Sequence, residues 1–195
     1  MAETNNTYAC DLVHVLADSM CEREMAGNDE VIYVCERSLV KNLAIDANGD
    51  IKAADFVAAV DGKLYRIDMV PDTVEGTNAV ENDNACGSAT LTARTDRDEQ
   101  KMRVFDRVAR FKDLAYFVAG VGKPFVRAYF SKWKKNKYAS QFTTGKTDTD
   151  EHGFTITVTV PATDFAYFRI DMKGATKQLE EMVYTEPSQG NGGGA

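Results

Sequence analysis

The chain has 195 residues, 44% hydrophobic and 27% charged, the balance of a soluble globular protein with room for one sizeable core. Its 30 acids outnumber 23 bases, giving a net charge of −7 and a pI near 4.9. That excludes a general grip on nucleic acid, because counterion release needs a net basic surface.

In chain order, residues 1–29 form an N-terminal arm of mixed character, with a short helix expected about 11–20. Residues 31–36 carry the β-branched and aromatic content of a strand. A second strand is expected over 42–46, before Ala47-Asn48-Gly49-Asp50, where Asn-Gly suits a tight turn. Asp61-Gly62 repeats the device between expected strands 56–60 and 63–69, so the opening reads as an antiparallel meander. Residues 71–87 have no apolar period and read as a long loop. Strand 88–93 follows.

The chain then enters one amphipathic helix, 96–112. Thr95 is its expected cap, acids lie early and bases late, as the helix dipole favours. Met102, Phe105, Val108 and Ala109 make its apolar stripe, and Arg103, Asp106, Arg107 and Arg110 lie on the opposite arc. Strands 115–121 and 124–130 flank a turn at 122–124, and a second polar loop spans 131–150. In strand 154–160, Phe154, Ile156, Val158 and Val160 alternate with three threonines, so one side is buried. Short strands are expected at 168–171 and 181–185, and 187–195 is a glycine-rich flexible tail. The whole reads as one β-rich domain over 30–186, mainly β with one flanking α-helix (α+β).

Chemistry-bearing patterns are sparse. Cys10, Cys21, Cys35 and Cys86 are widely spaced and contain no C-x-x-C pair, and no spacing brings His14 or His152 into a zinc-ligand pattern. There is no basic n-region followed by an apolar stretch, so a reducing cytosol with free, buried cysteines is the expectation. Asp46 to Asp50 imitates the start of a calcium loop, but Ile51 and Val57 occupy the positions that need glycine and a bidentate glutamate. A hairpin turn accounts for the same residues. Gly145-Lys146-Thr147 resembles the end of a P-loop, yet Ser140 stands where the first glycine belongs. Arg66 and Asp68 share a strand face and suit a cross-strand ion pair.

No nucleophile, metal cluster or cofactor motif stands out, so no catalytic, cofactor-binding or metal residue is assigned, and enzyme activity is not expected. The segment Lys132, Trp133, Lys134, Lys135, Asn136, Lys137, Tyr138 interleaves aromatics with cations. It suits either a contact with an acidic neighbour, such as another copy of this chain, or base stacking and phosphate neutralisation in a small nucleic-acid-binding module. With Arg103, Arg107 and Arg110 it supplies the candidate subunit contacts.

The order of these pieces resembles the tail-tube (major tail) proteins of bacteriophages, of the type found in phages of Bacteroidetes hosts. The resemblance covers about residues 30–170. It is carried by Ile45-Asp46-Ala47-Asn48-Gly49-Asp50-Ile51, by Gly62-Lys63-Leu64-Tyr65-Arg66-Ile67, and by the charged helix start Arg97-Asp98-Glu99-Gln100-Lys101-Met102-Arg103. The threonine-glycine loop Thr144-Gly145-Lys146-Thr147 leading into Gly153-Phe154-Thr155-Ile156-Thr157-Val158 completes it. The chain departs from the family's proline-rich ending, of which Pro161-Ala162-Thr163-Asp164-Phe165 keeps only part.

The resemblance implies an antiparallel β-sandwich or half-barrel with the helix on its flank. It further implies homo-hexameric rings that stack into a DNA-conducting channel in the virion tail. Folding and assembly would take place in the host cytoplasm, with other tail proteins as partners and no membrane. DNA would pass without sequence-specific binding, past a wall whose acidity repels phosphates, and the 71–87 loop would reach a neighbouring subunit. A tail-completion or connector ring, or the tube of a contractile injection system, fits the same resemblance.

Overall fold

The computed structural model describes residues 28–79, 87–96, 99–121, 123–144, 152–163, 165 and 167–185. The architecture is mainly β with three α-helices among these residues, an α+β arrangement built on two sheets. The first sheet has six strands in the order β2-β10-β7-β6-β1-β3: β1 Asn28–Glu36, β2 Asp50–Ile51, β3 Tyr65–Asp68, β6 Leu114–Gly120, β7 Phe125–Tyr129 and β10 Phe168–Asp171. The second has four, β4-β5-β9-β8: β4 Glu75–Ala79, β5 Gly87–Thr95, β8 Lys137–Thr143 and β9 Gly153–Thr163. All neighbours are antiparallel except β10 and β2, where Ile170 pairs with Ile51 in parallel.

Two apolar clusters lie on opposite faces of the six-stranded sheet. Ile32 and Val34 of β1 point into one, with Tyr116 and Val118 of β6, and meet Leu91, Ala93, Ile156 and Val158 of the four-stranded sheet. Val31, Tyr33 and Cys35 point the other way, with Phe117 and Val126, and meet two helices, α1 Ala53–Val60 and α3 Ala175–Glu181. Every residue of β6 is therefore buried, and its sequence shows no alternation. The alternation in β9 is as expected: Phe154, Ile156, Val158 and Val160 are buried while the threonines between them are half-buried.

Several sequence expectations change. Residues 56–60 are the second half of α1, not a strand. Phe56 and Val60, one helical turn apart, are its buried positions, and the Phe56 ring meets Phe117 with centroids 5.0 Å apart. Four alanines in Ala53–Val60 favour helix over the β-preference of Phe and Val. Residues 42–46 contribute only a bridge from Ile45 to Ile51, so no meander forms. The Asp46 carboxylate accepts the amides of Asn48 and Asp50, both at 2.8 Å, and Gly49 supplies a φ of 86°, which makes this a side-chain-braced turn.

The polar stretches 71–87 and 131–150 are not continuous loops, since β4 and β8 lie inside them. Residues 181–185 are the end of α3 followed by a bridge from Val183 to Leu64. Arg66 pairs with Asp68 of its own strand at 2.8 Å and with Glu180 of α3 at 2.9 Å, in place of a cross-strand partner. Cys35 is free and buried, and burial pushes its thiol up to about 12. The expected arm helix over 11–20, Cys10, Cys21 and Cys86, the 145–147 motif, and the 187–195 tail lie outside the described residues.

Candidate functional site

The central helix, α2, runs from Glu99 to Phe111 and keeps the expected boundaries to within a few residues. Thr95 ends β5 and is buried, its hydroxyl donating to the Asp68 carbonyl at 2.8 Å. The inward stripe is Met102, Phe105 and Ala109. Val108, expected there, is exposed and belongs to a second apolar stripe with Val104 and Phe111, spaced i, i+4 and i+7. That spacing was present in the sequence and was masked by counting Val108 with the first stripe.

The arc of Arg103, Arg107 and Arg110 is exposed, and the fold brings it beside the 132–138 segment. Two contacts do this: Phe105 meets Tyr138 edge-on at 6.0 Å, and the Ser140 hydroxyl donates to Asp106, which Arg110 also holds from within the helix at 2.7 Å. Lys135 Nζ donates to the Phe111 carbonyl at 3.0 Å, a cation at the negative end of the helix dipole.

The segment is also held from behind. Arg37 pairs with Asp113 at 2.6 Å and donates to the Ser131 and Lys132 carbonyls at 2.6 and 3.2 Å. Buried Asn136 donates to the carbonyls of Leu114 and Tyr129 at 2.8 and 3.2 Å. The Ser131 hydroxyl oxygen accepts the amides of Trp133 and Lys134. What read as the start of a polar loop is a braced turn followed by strand β8.

These anchors sort the candidate residues. Trp133, Lys134, Lys135 and Lys137 are exposed, and Lys132 is half-buried. Tyr138 is turned against Phe105, and burial together with the nearby Asp106 charge raises its hydroxyl pKa well above normal. Of the two aromatics expected to present a face, Trp133 does so at 61% exposure, and Phe111, at 79%, takes the second place. Residues 99–113 and 131–138 together hold nine bases and three acids, a charge of +6, which leaves −13 on the rest of the chain. The surface carries two exposed aromatics, Trp133 and Phe111, among its cations.

Among the described residues no group of three or more His, Cys, Asp or Glu is arranged to hold a metal, and no helix is long and apolar enough to cross a membrane. The chain matches no known family, no characterised protein and no solved structure.

Proposed function

We propose that the chain is a virion structural subunit of the tail-tube type, which assembles into rings around a DNA-conducting channel. The four-stranded sheet carries this reading. β4 and β8 are its terminal strands, β4 is exposed throughout, and among the described residues neither has a partner on its outer edge. Unpaired edges of this length invite pairing with another chain. β8 has one charge in seven residues and no proline to block addition.

The face turned away from the core carries Thr90 and Thr92 of β5, Thr155, Thr157 and Thr159 of β9, and Ala139, Gln141 and Thr143 of β8. Glu75, Arg94 and Lys137 are its charged members. A channel lined by this face is hydroxylated and close to neutral, with two cations against one acid among its threonines, so DNA meets few fixed charges as it passes. This revises the repulsive acidic wall: the lining face is close to neutral, and the −13 lies elsewhere in the chain, most of it on residues outside those described. The 99–113 and 131–138 surface is then a subunit contact, and the reading carries no enzymatic role.

Electron microscopy of the purified full-length chain tests this. Sixfold rings or stacked tubes are expected, single unstacked rings would assign a connector role, and a strict monomer by light scattering at high concentration would refute it.

A further inference from the structure

Helix α2 has a side that the core does not use. Val104 and Val108 line a groove of about 640 Å³ between α2 and β3, the open edge of the six-stranded sheet. Val34, Ile67, Met102 and Leu114 also line it, and Tyr65, 57% exposed, stands on its β3 side. It runs from Asp68, whose carbonyl accepts the Thr95 hydroxyl, to the ion pair of Lys112 with Glu36 at 2.6 Å. Val104 at 61% and Val108 at 43% are costly to leave in water.

We propose that this groove is the docking site of the chain's own N-terminal segment, residues 9–20. Two observations select that occupant. Ala9, Leu12, Val13, Leu16 and Met20 fall at i, i+3, i+4, i+7 and i+11, one face of a helix, while Asp11, His14 and Asp18 fall off it.

The reach is right. β1 begins at Asn28, and the Met69 amide donates to the Glu30 carbonyl at 2.8 Å, so the chain enters beside the Asp68 end of the groove. Residues 9–20 and residues 101–112, which run along α2 to the residue after it, are both twelve long, so as helices each spans about 18 Å. Residues 21–27 extend to about 24 Å, enough to start the segment at either end.

This docking is independent of ring formation, because it happens within one chain.

A cysteine trap tests it on the full-length protein. Val108→Cys, or Val104→Cys as a second variant, places a thiol at the groove; Cys10 lies in the segment and Cys21 directly follows it. Both replaced side chains are exposed, so the fold tolerates the change. Under mild oxidation, peptide mass mapping should find the introduced thiol joined to Cys10 or Cys21 within single chains. Adding Leu12→Asp and Leu16→Asp should lower the yield at least fivefold. Links formed only between chains would overturn the proposal and give the groove to a second copy. No link to either cysteine in both variants, or a yield indifferent to the aspartates, would overturn it as well.

Discussion

Arg37 should decide whether the basic surface is rigid. Its guanidinium is 12% exposed and makes one ion pair and two hydrogen bonds to the carbonyls that open the 131–136 turn. Arg37→Met keeps the apolar stem and removes all three contacts. Hydrogen bonds to a charged group contribute about 1.5–3 kcal/mol each, but bonds in one network do not add, and solvent reaches Asp113, so a net loss of about 3 kcal/mol is expected. In a domain of this size that lowers Tm by roughly 6–12 °C.

Trp133 is the only tryptophan in the chain and sits in the turn that Arg37 holds, so its fluorescence anisotropy reports the turn directly. Anisotropy should drop at temperatures where far-ultraviolet circular dichroism is still native. Arg37→Lys keeps the charge without the planar fork and should recover less than half of the loss. An Arg37→Met protein that melts within about 1 °C of the original, with unchanged anisotropy, would refute the anchoring role.

Gly153 has a φ of +115°, and a Cβ there would collide with the Thr95 carbonyl, so Gly153→Ala should cost about 2–4 kcal/mol by urea denaturation. Alkaline pH should weaken the fold. Burial pushes the Tyr33 and Tyr129 hydroxyls up to about 12, and Tyr116 shifts further the same way. Above pH ~10 the unfolded chain holds fewer protons than the folded one, so the stability present below that pH is lost as pH rises toward about 12. Tyr138 and Cys35 are raised by burial in the same direction, and five such groups give a slope of up to roughly 7 kcal/mol per pH unit, measurable as urea midpoints at successive pH values. Replacing Phe111 and Trp133 together with serine should leave Tm within about 1 °C, because both are exposed, while weakening self-association at least tenfold by sedimentation.

The elements legible in the sequence were those whose side chains report burial. β9 alternates, α2 repeats every three to four residues, and β1, β6 and β7 are dense in Val, Phe and Tyr. β4 was hidden because Glu-Gly-Thr-Asn-Ala has no buried side chain; its strand exists only through its ladder to β5. β8 was hidden for a related reason: it is an edge whose inner residues, Tyr138 and Ser140, are half-buried and partly polar. In α1, Phe56, Val57 and Val60 gave a strand signal when the preceding alanines were left out. The basic surface was legible as two separate segments. Their union was not, because it depends on Ser140 and Asp106, thirty-four residues apart.

The double burial of the six-stranded sheet has a thermodynamic consequence. Along β1, Ile32 and Val34 serve one cluster while Val31, Tyr33 and Cys35 serve the other, so adjacent residues of one backbone belong to different cores. Neither core can melt without loosening the strand that the other is built on. Two chemically separate clusters thus behave as one cooperative unit, and amide hydrogens of β1 and β6 should exchange together, only through global opening.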